Sequence, residues 1–119
     1  MKISEIRDLL EADVLCGADE LDREVTSACC SDMMSDVLAY VKDQGVLLTG
    51  LVNAQVIRTA NMMDMHCIVF VRSKKPTEDM VELAEECGIV LMSSCLRAYV
   101  ACGKLWQAGL TSDAEDCDV

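Results

Sequence analysis

The sequence predicts one α/β domain, built on a mostly parallel sheet with helices on both faces. Three observations lead there. Helical and strand-like patterns alternate along the chain with connections of a few residues, which is the mark of βαβ units. The strongest strand pattern, Cys67-Ile68-Val69-Phe70-Val71, is apolar throughout, as a strand covered by helices on both sides is. A chain of 119 residues, 52% hydrophobic and 26% charged, is long enough for one packed core and too short for two ordinary ones.

Each element has its own signal. Ile3, Ile6, Leu9 and Leu10 follow helical spacing, and Asp13–Cys16 then reads as a short strand. Gly17–Glu20 is a turn, and a second strand is expected near Glu24–Cys29. Ser31 or Asp32 is positioned to cap the next helix, whose apolar positions are Met33, Met34, Val37, Leu38 and Val41, with Lys42–Gly45 ending it. Val46–Thr49 is a continuous apolar strand broken by Gly50. Asn53 caps a helix carrying Val56, Ile57, Ala60 and Met63. After the Cys67–Val71 strand, Pro76-Thr77 opens a helix with Met80, Leu83, Ala84 and Cys87 on one face, and Gly88 stops it. Ile89–Met92 is the next strand. Ser93 or Ser94 is expected to cap a last helix through Leu96, Tyr99, Val100 and Trp106 that ends at Gly109. The domain is thus expected over 1–109, with 110–119 an acidic, disordered tail.

Charge narrows the function. Ten basic against twenty-one acidic residues give a net charge of -11, which speaks against a phosphate-backbone partner and against anionic lipid. Four of the acids, Asp113, Glu115, Asp116 and Asp118, belong to the tail, but the body stays acidic without them. No apolar run approaches the roughly 20 residues of a spanning helix. The opening Met1-Lys2-Ile3-Ser4-Glu5 has an acidic helical pattern where a signal peptide would be apolar. A cytoplasmic protein with no membrane and no nucleic-acid partner is expected.

Catalytic signatures are missing. There is no phosphate-cradling G-x-x-x-x-G-K-[ST] loop, no G-x-G-x-x-G after a strand and no G-x-S-x-G elbow. The single histidine, His66, has no nucleophile tied to it by sequence. Eight cysteines, at 16, 29, 30, 67, 87, 95, 102 and 117, include no C-x-x-C pair, so most read as reduced thiols acting as small hydrophobes. Adjacent Cys29-Cys30 is the best candidate for thiol reactivity. With only four aromatic residues, the eight methionines read as core filling. No cofactor and no metal is expected, and no residue is assigned a catalytic role.

A parallel sheet binds ligands outside the carboxyl ends of its strands. Those ends supply Ser31, Asp32, Thr49, Asn53, Arg72, Ser93 and Ser94, each beside an expected helix N-terminus, where unpaired N–H groups suit an anion. Arg72, Lys74 and Lys75 form the only dense cationic cluster in the chain.

Leu21-Asp22-Arg23-Glu24-Val25-Thr26-Ser27-Ala28, followed by Ser31-Asp32-Met33-Met34-Ser35-Asp36-Val37, resembles the DRTGG domain. So does Val90-Leu91-Met92-Ser93-Ser94 with the helix through Tyr99, Gly103, Leu105 and Trp106. Asp22, Arg23 and Thr26 stand where the family's Asp, Arg and Thr would fall, while its two glycines are Ser27 and Ala28 here. If those positions need positive φ or close backbone approach, side chains there alter the site. The resemblance covers roughly residues 3–108 and implies a free-standing DRTGG domain, with a fold similar to the N-terminal domain of HPr kinase/phosphorylase. It implies a regulatory or interaction role, since such domains stand beside CBS domains in pyrophosphatases whose regulatory region binds adenine nucleotides. A serine kinase activity is not implied, because the P-loop lies in a separate domain.

The expectation is therefore a non-catalytic regulatory or interaction module sensing a small anionic or adenine-nucleotide ligand through Asp22, Arg23, Thr26 and the rim residues. The apolar residues Leu96, Tyr99, Val100, Cys102, Leu105 and Trp106 cannot all face one core, which predicts a homodimer or another protein partner. The alternative is a thiol-based redox or metal-handling protein using Cys29 and Cys30.

Overall fold

Connectivity decides which face each helix covers. The computed structural model describes residues 1–40 and 45–111, so Val41, the expected helix end at Lys42–Gln44, Cys117 and the acidic stretch from 112 lie outside the described residues. The elements run α1 (Ile3–Leu9), β1 (Asp13–Cys16), a 3₁₀ turn (Ala18–Glu20), β2 (Ala28–Cys30), α2 (Met34–Tyr40), β3 (Val46–Thr49), α3 (Ala54–Met62), β4 (Cys67–Phe70), α4 (Glu78–Cys87), β5 (Val90–Ser93) and α5 (Ala98–Gln107). The five strands are ordered β1-β5-β4-β3-β2. β2 through β5 are parallel, and β1 joins β5 antiparallel at the edge.

From β2 to β5 each crossover steps one strand in the same direction. Crossovers of one hand then place all their helices on one side of the sheet. Accordingly Met34 and Val37 of α2, Val56, Ile57 and Ala60 of α3, and Met80 and Ala84 of α4 share one core with Leu47, Ile68, Phe70 and Leu91. The opposite core joins Ile3, Ile6 and Leu10 with Ala101 and Leu105 of α5, against Val46, Leu48, Cys67, Val69, Val90 and Met92. Successive strand residues alternate between the two cores, as a period of two requires. The continuous apolar runs are thus explained, since both faces of β3, β4 and β5 are buried.

Three local expectations change. The regular second strand is only Ala28–Cys30, because the chain before it pairs with the first residues instead. Glu24 bridges Lys2, Ile3 N–H donates to Arg23 O (3.0 Å), and Val25 N–H donates to Met1 O (2.8 Å). The last helix begins at Ala98, after Arg97, and not at the serines. Ser94 Oγ donates to Leu10 O (2.6 Å) and accepts from Leu96 N–H (3.1 Å), while Ser93 Oγ donates to Lys74 O (2.7 Å), so both hydroxyls tie loops together. α2 begins at Met34, and the Asp32 carboxylate accepts from Thr49 and Gly50 on the neighbouring strand end. Asn53 and Thr77 do cap α3 and α4, accepting from Val56 and Met80 N–H at 3.3 Å each. At the carboxyl-terminal end, Leu110 is buried in the α1/α5 core and Thr111 O accepts from Ala28 N–H (3.1 Å), so the packed body includes both residues.

Candidate functional site

The carboxyl ends of β2, β3 and β4 meet the first turn of α5 at one crevice. It is a cavity of about 240 Å³, lined by Cys30, Ser31, Asp32, Gly50, Val71, Arg72 and Ala98. β2 delivers Ser31 and Asp32, β3 delivers Thr49 and Gly50, and β4 delivers Arg72. Because α5 follows β5 across to the other face, its N-terminus is brought to this rim.

Asp32 organises the crevice. Its Oδ1 accepts from Thr49 Oγ1 (2.9 Å) and from Gly50 N–H (2.8 Å), bonding the end of β2 to the end of β3. Thr49 is fully buried, so Asp32 supplies the acceptor its hydroxyl needs. The Gly50 N–H, helped by the Thr49 hydroxyl and the Arg72 charge, outweighs the cost of desolvation and holds the Asp32 carboxyl below the usual carboxylate range. Oδ2 has no protein donor among the described residues.

A carboxyl held low in the fold stabilises the folded state at pH values above the unfolded value of 3.8. That contribution is lost as pH falls through the lowered folded value. We expect Asp32→Asn to flatten the acid limb of the stability profile below about pH 4, with neutral-pH stability within about 1 kcal/mol because an amide oxygen still accepts both bonds. Urea unfolding at stepped pH reads this, and equal slopes for the two proteins contradict it.

Arg72 lies over Gly50. A Cβ at position 50 would run into Arg72 Nη2, so the glycine permits the guanidinium its place. The Arg72 backbone is itself unusual: Arg72 and the following Ser73 have φ of 58° and 59°, a left-handed pair without a glycine. Backbone bonds hold it, from Arg72 N–H to Leu96 O and Ser73 N–H to Ser94 O, both 2.8 Å. Strain of this kind persists where the surroundings over-determine it and concentrates at functional positions. No carboxylate lies within ion-pair distance of Arg72 among the described residues. On the other side, the residue before α5, Arg97, makes no side-chain capping bond, so the partial positive charge of the first turn is not quenched by a side chain.

The residues expected from sequence divide into three groups. Ser31, Asp32 and Arg72 line the crevice, with Thr49 beneath it. Asn53, Ser93 and Ser94 lie at the same end of the sheet with their side chains engaged in the cap and loop bonds described above. Asp22, Arg23 and Thr26 fall at the opposite end: Thr26 precedes β2, and Arg23 stands 4.0 Å from Glu20 and near His66, before β4, whose titration is lowered by burial and by the Arg23 charge. Neither Ser27 nor Ala28 has a positive φ, and neither lines the crevice, so the side chains at these two positions do not block it. Sequence reasoning missed Gly50, which read only as a strand breaker, and the first turn of α5. Cys30 was singled out for reactivity, not as a wall of this site.

A second, apolar cavity of about 150 Å³ lies between the β2 edge and α5, lined among others by Cys30, Leu48, Cys102, Leu105 and Trp106. Cys29 packs with the α2–α4 core while Cys102 packs with the α1/α5 core. No group of His, Cys, Asp and Glu able to hold a metal occurs among the described residues, and no described helix is long and apolar enough to cross a membrane.

Comparison with known proteins follows the same lines. The sequence profile of the DRTGG domain matches residues 5–107. The chain is similar in structure to the CBS and DRTGG domains of the regulatory region of a Clostridium perfringens pyrophosphatase, solved in complex with its activator diadenosine tetraphosphate. The TM-score is 0.73 at 14% identity, over 98% of this chain and 53% of that one. The chain therefore spans about half the length of that structure. No curated protein matches the sequence.

Proposed function

Since the chain belongs to the DRTGG domain family, we propose that it is a non-catalytic regulatory module whose crevice binds the phosphate and ribose edge of an adenine nucleotide. The observation that carries this is the Arg72 guanidinium, placed over Gly50 in a crevice that it lines together with Asp32 and Ala98 of the uncapped first turn of α5. An arginine and helix N–H groups suit a phosphate. A carboxylate oxygen with no protein donor among the described residues suits a ribose hydroxyl, which must donate.

The combination favours a nucleotide over a bare anion, because Asp32 would repel a second negative group. Size limits the ligand further. Sites that enclose a drug-sized molecule run to roughly 300–1,000 Å³, and this crevice is about 240 Å³. It fits a phosphate and part of a sugar and is too small to enclose a dinucleotide such as the activator of the pyrophosphatase regulatory region.

Thermal unfolding with adenosine monophosphate is the test. At 100 times its dissociation constant the nucleotide should stabilise the fold by about 2.7 kcal/mol, a clear rise in Tm. An unchanged Tm at millimolar nucleotide overturns the reading. Self-association belongs to the same proposal, supported by the exposed Tyr99, Val100 and Trp106 along α5. Sedimentation of the same samples should show dimers at micromolar concentration, and monomers alone would remove that part.

A further inference from the structure

Cys30 ends the edge strand β2, and Cys102 sits on α5. Strand alternation brings them together. Ala28 packs with the α1/α5 core and Cys29 with the α2–α4 core, so Cys30 returns to the α5 side. There the two thiols line the same small apolar cavity, close enough for each to shift the other's ionisation. Among the described residues, Cys30 alone lines both that cavity and the ligand crevice. Cys30 is exposed and Cys102 half-buried, so a small oxidant reaches them.

We propose that Cys30 and Cys102 are a redox-sensitive pair that a hydroperoxide converts to a disulfide, stapling α5 to the sheet edge beside the ligand crevice. The Cys102 thiolate attacks the peroxide, forming an S–O bond and breaking O–O, and the leaving alkoxide or hydroxide takes a proton from water. The Cys30 sulfur then attacks the Cys102 sulfur. An S–S bond forms, S–O breaks, and the departing hydroxide leaves as water with the Cys30 proton. Two thiols lose two electrons and two protons, and the hydroperoxide is reduced to water and an alcohol, or to two waters when it is hydrogen peroxide.

The surroundings select this pair. The neighbouring Cys30 thiol lowers the Cys102 thiol to about 7, which favours thiolate at neutral pH. The Cys102 side chain and burial push Cys30 up, so it keeps its proton until the second step. Burial pushes Cys67 up as well, and buried Cys16 is raised by desolvation while it donates to Ile89 O (3.4 Å). A disulfide draws sulfurs closer than a hydrogen bond does, to about 2.05 Å. The pull acts one helical turn from Ala98, on the wall of the crevice. The effect on nucleotide binding rests on the function proposed above; the disulfide does not.

The test treats the full chain with hydrogen peroxide, blocks remaining thiols and maps tryptic peptides. Residues 98–104 form a peptide whose only cysteine is Cys102. We expect it linked to the peptide bearing Cys30, with the link lost in Cys30→Ser and in Cys102→Ser, kept in Cys29→Ser, and reversed by dithiothreitol. In Cys30→Ser, Cys102 should stop at a sulfenic acid trapped by dimedone. A link lost in Cys29→Ser, or oxidation of Cys102 without a link, overturns the pair. Adenosine monophosphate affinity should fall about tenfold on oxidation. Equal affinity in both states overturns the coupling alone, whereas no binding in either state overturns the proposed function and leaves the peptide map to judge the disulfide.

Discussion

Phe70→Ala should lose about 3–5 kcal/mol of folding stability, the largest single effect expected anywhere in this chain. Phe70 is the only phenylalanine and is fully buried. It sits on β4, which has β3 on one side and β5 on the other, and it faces the core beneath α2, α3 and α4. Collapse into the void is hindered, because its neighbours across the sheet, Thr49 and Ser93, are fixed by ladder pairing and by their own hydroxyl bonds. A domain of this length has about 6–18 kcal/mol in total, so the loss is a large fraction. Phe70→Leu, which keeps most of the volume, should cost under about 1.5 kcal/mol. Urea unfolding separates these outcomes. An alanine variant within about 1 kcal/mol of the parent would mean that the two-core packing described here is wrong.

Arg72→Ala should weaken adenosine monophosphate binding by about 10- to 150-fold, the equivalent of the 1.5–3 kcal/mol that a hydrogen bond to a charged group supplies. Stability should hardly move, since the side chain is exposed and alanine keeps the same backbone conformation. Arg72→Gly sharpens the contrast. It removes the guanidinium and also relieves a φ of 58°, so it should bind as weakly as the alanine variant while gaining about 1 kcal/mol in stability. Gly50→Val reaches the same site from beneath: its side chain takes the space of Arg72 Nη2 and must displace it. Full affinity in Arg72→Ala, read by calorimetric titration, contradicts the assignment of the phosphate to this residue.

The fold was legible where one segment carries its own reason. The apolar runs Val46–Thr49, Cys67–Val71 and Ile89–Met92 announce strands buried on two faces, Asn53 announces a cap, Pro76-Thr77 announces a helix start, and Gly88 stops α4 in the left-handed conformation with φ of 71°. What was not legible depends on residues meeting from distant segments. Asp32 precedes a helix and so reads as a cap, but the parallel pairing of β2 with β3 places Thr49 and Gly50 within its reach. Ser93 and Ser94 read as caps for the same local reason, while their burial commits them to the carbonyls of Lys74 and Leu10. Arg72 and Ser73 have no sequence mark of positive φ, because the usual mark is glycine or asparagine. Linear order also hides which end of a sheet a motif reaches. Asp22 and Arg23 belong to the stretch that resembles the family most directly, yet Arg23 stands at the amino ends with Glu20 and His66. The pairing of Cys30 with Cys102 was invisible for a further reason, since it depends on which face α5 covers.

Backbone amide spectra of the isotopically labelled chain, recorded while adenosine monophosphate is added, test the central claim most directly. The account predicts progressive shifts at Ser31, Asp32, Gly50, Arg72, Ser73 and the first turn of α5 from Ala98, with the amides around Arg23 and Thr26 unmoved. A titration that leaves the rim still, or moves only the Asp22–Thr26 end, contradicts it.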